Sequence, residues 1–214
     1  MDTRFSPVTQ RHDKVIIIAC GASLRGFDLS RLEGLDGIAT IAVNDAFFHV
    51  ATDYWITIDP SPCARIIKTK TEKTYKFVGF HSPIDDVHSL KRYLIHTDDP
   101  TTQDNSRLCE DKKEIQTHNS GYAAFNLAYH MGAKKVLLLG LDANNGPHFF
   151  DDELPGDRGW RVSISKIPNL FRSALDQINA RGIQVFNGSK DSLIDAFPRG
   201  TIEQGLEWIQ ADEQ

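Results

Sequence analysis

His118-Asn119-Ser120-Gly121 followed by Lys134-Lys135-Val136-Leu137-Leu138-Leu139-Gly140-Leu141-Asp142 is the stretch whose reading decides the fold. Between the two runs, Ala123, Ala124, Leu127, Ala128 and Met131 recur near helical spacing, and Gly132 stands where a helix C-cap needs it. Within 135–139 the unbroken apolar run 136–139 predicts a strand buried on both faces, because a half-exposed strand would alternate. It ends in a carboxylate, Asp142. A helix feeding straight into such a strand is half of a crossover unit, which implies a parallel sheet. Sheets of this kind take ligands outside the carboxyl ends of their strands, where helix N-termini and strand-end side chains converge.

Working outward, residues 14–19 (with Val15-Ile16-Ile17-Ile18), 38–43 and 54–58 repeat the buried-strand pattern, and 76–80 predicts a fourth strand. Short helices are expected over 45–50 and 61–67, a longer one over 167–180, a last strand over 183–187, and two short helices over 192–197 and 201–209. The alternation defines the expected class: α/β, a Rossmann-like three-layer sandwich with a mostly parallel sheet and a lid-like insertion. A single nucleotide-binding domain over residues 1–214 is expected. Segments 97–117 and 144–165 lack periodicity and are expected to be mobile loops, the first rich in Asp, Thr, Gln and Lys, the second broken by Gly146-Pro147, Pro155-Gly156 and Gly159.

Composition narrows the setting. Hydrophobic residues at 40% and charged residues at 25% are ordinary soluble-protein values, and no apolar run reaches the ~20 residues needed to span a bilayer. The polar residues 1–14 lack the apolar centre of a signal peptide, so a cytoplasmic location is expected. Cys20, Cys63 and Cys109 are odd in number and lack a Cys-x-x-Cys pair, which argues against a disulfide framework or a structural zinc site. A net charge of -5 opposes non-specific adsorption to nucleic acid, and the basic run 68–73 reads as a solvated segment.

Chemistry-bearing residues gather at one edge of the expected sheet. Gly21, Ala22 and Ser23 form a small-residue turn after the first strand, suited to close backbone approach and to binding a phosphate through amides and a hydroxyl. It matches neither a Gly-Lys-Ser/Thr phosphate loop nor a Gly-x-Gly-x-x-Gly turn. Asn44 and Asp59 end the next two strands and can cap a helix or bind a base or ribose. Asn119, Ser120 and Gly121 open the helix, with Ser120 either its cap or a phosphate or base contact, and Asp142 ends the strand that follows it. For proton transfer, His148 comes first because it follows Asp142 in the loop; His81, His96 and His118 rank behind it, and His130 reads as structural. Tyr122, Arg158 and Arg161 are further candidates to assist a leaving phosphate. No metal-ligand spacing is recognised in Asp151-Asp152-Glu153.

With these residues assembled, the chain resembles a superfamily uniting bacterial family-42 sialyltransferases, archaeal 6-hydroxymethylpterin diphosphokinase-like proteins, and uncharacterised bacterial and phage relatives. The resemblance covers most of the chain and rests on Gly21-Ala22-Ser23-Leu24, Asn44, Asn119-Ser120-Gly121, 135–142, and the tail Asn187-Gly188-Ser189-Lys190-Asp191-Ser192-Leu193 with Phe197-Pro198. Through Asn119-Ser120-Gly121-Tyr122, His148 and Pro155 it is most similar to the phage members. The sialyltransferases hold a cytidine nucleotide-sugar without a required metal, so the resemblance implicates Gly21, Ser23, Asn44, Ser120 and Gly121 in nucleotide binding and sets Asp142 at the donor pocket. The chain departs from them in 156–166, which has neither the His nor the Tyr they use.

The leading expectation is a nucleotide-sugar-dependent, glycosyltransferase-like transferase. His148 and Asp142 would be catalytic, Gly21, Ala22, Ser23, Asn44, Asp59, Asn119, Ser120 and Gly121 would bind the nucleotide, and no metal would be required. The expected partners are a nucleotide or nucleotide-sugar and an unknown acceptor, with no membrane, and a homo-oligomer is compatible. Two alternatives stand beside it: a Mg²⁺-dependent pyrophosphokinase-like enzyme using ATP through Asp59 and Asp142, and a non-catalytic nucleotide-binding phage accessory protein.

Overall fold

The computed structural model describes residues 5–59, 74–80, 82, 87–93, 107–151 and 158–211, excepting the side chains of 158–162. Nine strands are found among them: β1 (Lys14–Ile18), β2 (Ile38–Val43), β3 (Tyr54–Thr57), β4 (Tyr75–Val78), β5 (Val87–Ser89), β6 (Lys91–Arg92), β7 (Glu114–Ile115), β8 (Lys135–Leu139) and β9 (Gln184–Asn187). Seven build one sheet in the order β5-β4-β3-β2-β1-β8-β9, every pairing parallel, and β6 and β7 form a separate two-stranded ribbon. The expected three-layer α/β class is the observed one.

Continuous apolar strands are explained by the two cores they serve. Val15 and Ile17 of β1 point to one face with Val136 and Leu138 of β8, while Ile16 and Ile18 point to the other with Leu137 and Leu139. Side chains alternate across a strand, so a sheet covered on both faces needs apolar residues at every position. The first face is covered by the helix Ser120–Met131 and by the helices Arg158–Ser173 and Leu175–Ala180; the second by the helix Ile202–Gln210 and the short turns around Leu24 and Leu32. Every residue of the helix Ser120–Met131 is buried, and replacing Leu127 by Ala there would cost about 2–5 kcal/mol. No described helix is long and apolar enough to cross a membrane.

Helix ends account for several polar residues. Asn119 accepts a hydrogen bond from the Gly121 amide, and Gly132 at φ 81° closes the same helix with its N–H to the carbonyls of Ala128 and Tyr129. Thr201 and Gln204 form a capping box on the last helix. At that helix's other end, Lys135 Nζ donates to the carbonyls of Trp208 and Ala211, and Lys14 Nζ to those of Gln210 and Ala211. Two strand-start lysines thus satisfy its orphan carbonyls and complement its dipole.

Some expected elements differ. The helix expected over 167–180 begins at Arg158 instead and breaks near Ala174 into two pieces. Ile164, Ile167 and Phe171 carry its apolar stripe, which the breakers Gly159 and Pro168 disguise in the sequence. Residues 192–197 form no helix; Ser192 Oγ donates to the Leu141 carbonyl at 2.9 Å and the Leu193 amide to that of Asp142 at 2.9 Å, so the segment wraps the end of β8. Within 107–117, β7 and buried Leu108, Cys109 and Ile115 replace the expected irregular loop, because Asn126 Oδ1 accepts from the amides of both Cys109 and Gln116. Polar composition there reflects side chains that satisfy backbone groups. The helix expected over 61–67 and residues 97–106 lie outside the described residues.

Candidate functional site

β1 is the point where the strand order reverses: β2 and β3 succeed it on one side, while β8 and β9 lie on the other. Beyond the strand ends, the Ala19 amide still donates to Leu139 O at 2.8 Å and the Gly21 amide to Gly140 O at 2.7 Å. Such close approach needs glycine on both chains. A Cβ on Gly21 would meet Gly140 O at 2.5 Å and the Asp142 carboxyl at 2.6 Å, and one on Gly140, itself at φ +64°, would meet Ala19 O at 2.6 Å.

The buried carboxylate of Asp142 then ties the two turns together. Its Oδ2 accepts from the Ser23 amide at 2.9 Å and its Oδ1 from Ser23 Oγ at 2.5 Å. Ser23 is therefore turned into the protein, and neither it nor Ala22 lines the cavity that opens beside the turn. The short turn Ala22–Leu24 directs the Ser23 hydroxyl toward Asp142.

The other strand ends converge on that cavity, whose volume is about 690 Å³. Asn44 sits at φ 50°, a left-handed conformation that Asn tolerates, and its Oδ1 accepts from Thr57 Oγ1 at 2.6 Å. Asp59 Oδ2 accepts from Ser120 Oγ at 3.1 Å, so Ser120 bridges to β3 and leaves capping to Asn119. Asn119 Nδ2 donates in turn to Ser163 Oγ at 3.2 Å, which donates to the His118 carbonyl. Gly121 lets the helix start press on β8, since a Cβ there would lie 2.4 Å from Leu141 Cδ1. Gly21, Asn44, Asp59, Asn119, Ser120, Gly121, Asp142 and His148 all line the one cavity.

His148 reaches it because the loop after β8 folds back over the β1 turn. His148 forms an antiparallel bridge with Gly21, the Phe149 amide donates to Cys20 O at 2.9 Å, and Arg25 Nη2 donates to the carbonyls of His148 and Asp151 at 3.1 and 2.7 Å. Residues 148–151 are thus tied to the β1 turn by hydrogen bonds to backbone groups, which composition does not announce. Burial lowers the His148 imidazole below its ordinary value, while the carboxylates of Asp45 and Asp151 pull it upward. Burial thus favours the neutral imidazole, the form able to take a proton.

The remaining candidates separate cleanly. His118 lines the cavity, whereas His130 is buried against the Glu114 carbonyl, 2.9 Å from its Nε2, and is pushed down to about 4 by desolvation. Tyr122 is core, edge-on to Phe171, which removes it as an aid to a leaving group. His81, His96 and the side chains of Arg158 and Arg161 lie outside the described residues. Desolvation pushes the Cys20 thiol up to about 12, which disfavours the thiolate. Asp45, Asn144 and Ser163 were not singled out from the sequence, yet they line the cavity. Asp45 was detectable as the second half of the polar Asn44-Asp45 strand end; Ser163 was hidden in a segment read as loop.

Fold and site together define a Rossmann-like α/β protein with a cavity at the topological switch point. Among solved structures, the chain is similar to the sialyltransferase CstII from Campylobacter jejuni, determined in complex with a substrate analogue, CMP-3FNeuAc. The identity is 14%, the TM-score 0.50, and the match covers 87% of this chain and 85% of that one. At that identity the shared property is the fold. No protein-family model matches the chain, and no curated protein matches it in sequence.

Proposed function

We propose that the protein is a nucleotide-sugar-dependent, glycosyltransferase-like enzyme that binds its donor at the carboxyl edge of the sheet. The observation that carries this is the convergence of four strand ends and a 12-residue helix start on one cavity of about 690 Å³, a size suited to a small-molecule ligand. A fold shared with a protein whose structure holds a CMP-sugar analogue supports it.

In this proposal the donor phosphate faces the amides at the start of the helix Ser120–Met131, where the dipole favours negative charge. Asn44 offers an amide to the base or sugar, and Asp59 accepts from a hydroxyl. Asp142 acts as a positioning residue that holds the Ser23 turn. The acceptor hydroxyl oxygen attacks the anomeric carbon, the bond from that carbon to the phosphate oxygen breaks with its electron pair passing to the phosphate, and the hydroxyl proton goes to the His148 imidazole. General-base removal of that proton contributes about 10²–10⁴-fold, and no metal is required in this step.

Thermal unfolding with CMP-, UDP- and GDP-sugars and with ATP, each with and without Mg²⁺, tests the proposal. A ligand at about 100 times its Kd adds about 2.7 kcal/mol, or about 5–10 °C. Metal-independent stabilisation by a nucleotide-sugar is expected. Stabilisation by ATP alone and only with Mg²⁺, or by no nucleotide, refutes it.

A further inference from the structure

The turn that carries Asn44 into the cavity is held by two side chains of β3 that stay outside it. Trp55 and Thr57, two residues apart on the strand, point to the same face. The Trp55 indole donates to the Asn44 carbonyl at 3.0 Å, and Thr57 Oγ1 donates to Asn44 Oδ1 at 2.6 Å. Trp55 and Thr57 are fully buried and do not line the cavity, whereas Asn44 is half-buried and does. Thr57 has one hydroxyl proton to give. The other oxygen in its reach, Asp59 O, lies at 3.4 Å, and the Asp59 amide donates to Thr57 Oγ1 at 3.1 Å. A separation of 2.6 Å suits an O–H···O bond and is short for N–H···O, which sets the Asn44 amide with its oxygen on Thr57. Asn44 Nδ2 then has no acceptor among the described residues.

We propose that Thr57 is a positioning residue and that, through it, Asn44 presents N–H donors and no acceptor to the cavity. Resting on the reading of the cavity as a nucleotide-sugar site, this makes the ligand atom met there an acceptor without a proton: a carbonyl oxygen of the base or an oxygen of the phosphate. An unanchored amide turns over and offers its oxygen as readily, so it takes a ligand N–H or O–H equally well. The Thr57 hydroxyl removes that choice. The left-handed backbone of Asn44, at φ 50°, is braced through Trp55, so β3 sets both its main chain and its side chain.

Calorimetric titration of the full chain with CMP, UDP and GDP, and with cytidine, uridine and guanosine, tests this beside NMR relaxation of the Asn44 side-chain N–H vectors. Thr57→Val should weaken the tightest nucleotide about 3- to 10-fold, the loss of one hydrogen bond, while Thr57→Ser, which restores the hydroxyl, stays within about twofold. In an Asn44→Ala background, Thr57→Val should cost less than about twofold, because no amide is left to orient. Asn44→Asp keeps an oxygen on Thr57 and tolerates the left-handed turn but replaces the donor with an acceptor, so it should weaken binding more than Asn44→Ala does. A penalty shared by the nucleosides assigns the contact to the base, and one confined to the nucleotides assigns it to phosphate; both uphold the donor polarity. Parent-like binding by Asn44→Asp, or Thr57→Val as costly in Asn44→Ala as in the parent, overturns the proposal. The order parameter of the Asn44 vectors should lie near the rigid value of about 0.85 in the parent and fall below about 0.6 in Thr57→Val. An unchanged order parameter overturns the positioning whether or not a nucleotide binds. A fall in a protein whose parent binds no nucleotide upholds the positioning and removes the nucleotide reading.

Discussion

Replacing Gly21 by Ala should damage the protein far more than its backbone suggests. Gly21 sits at φ -66° and ψ 153°, a conformation any residue adopts, so the requirement for glycine is one of contact. The added methyl would lie 2.5 Å from Gly140 O and 2.6 Å from the Asp142 carboxyl. One neighbour is backbone paired to β1, and the other is fixed by two hydrogen bonds from Ser23. Neither can yield without separating the two turns. Overpacking costs about 1–3 kcal/mol, and rigid partners on both sides put this case at about 2–3 kcal/mol. For a chain of 214 residues that is a melting-temperature loss of about 4–12 °C. Gly26→Ala is the comparison, because Gly26 at φ +76° has nothing within 4 Å of the new methyl and carries only the conformational penalty, about 1 kcal/mol. Calorimetric melting of both variants decides the matter. A Gly21→Ala protein that melts within about 1 °C of the parent, or no lower than Gly26→Ala, would refute the close approach of the β1 and β8 turns.

Other outcomes follow from the same geometry. Ala143 is held at φ 54°, where an L side chain costs about 1–2 kcal/mol, so Ala143→Gly should hold or raise the melting temperature by up to about 3 °C, and a marked drop would speak against the strain. Desolvation lowers His130 from 6.5 to about 4, so the unfolded chain binds a proton that the folded one refuses; stability is intact above pH 6.5 and falls by about 3 kcal/mol as pH drops to about 4. Urea midpoints at pH 7 and 4.5 should therefore diverge less in His130→Leu than in the parent, and parallel behaviour would contradict the assignment. His148→Ala should lower kcat by about 10²–10⁴-fold. Because Asp45 raises His148 and burial lowers it, Asp45→Asn should move the acid limb of the activity profile to lower pH, and movement to higher pH would show that the carboxylate does not act on that ring.

The parallel sheet was legible because burial on both faces leaves a period-independent mark: 15–18 and 136–139 are apolar at every position. The small or polar residues after these runs were legible too, so the sequence located Gly21, Asn44, Asp59 and Asp142 at strand ends and Ser120 at a helix start, and all five line the cavity. Their division of labour was not. Ser23 and Asp142 are 119 residues apart, and only the pairing of β1 with β8 shows that each satisfies the other. Likewise Asn119 and Ser120 are equally good caps by residue type, and the position of Asp59 decides that Ser120 bridges while Asn119 caps.

The loop after β8 marks the boundary most sharply. Its residues promise little, since Gly146-Pro147-His148-Phe149-Phe150 has neither helical nor strand period. Its order comes from backbone groups of Cys20 and Gly21 and from the Arg25 guanidinium, none of them near in sequence. Local propensity and hydrophobic period are written along the chain, so sequence alone determined the layers, the strand edge and most of the residues placed there. Which polar groups are spent on each other and which face the cavity depends on contacts between distant segments, and tertiary structure alone decided that.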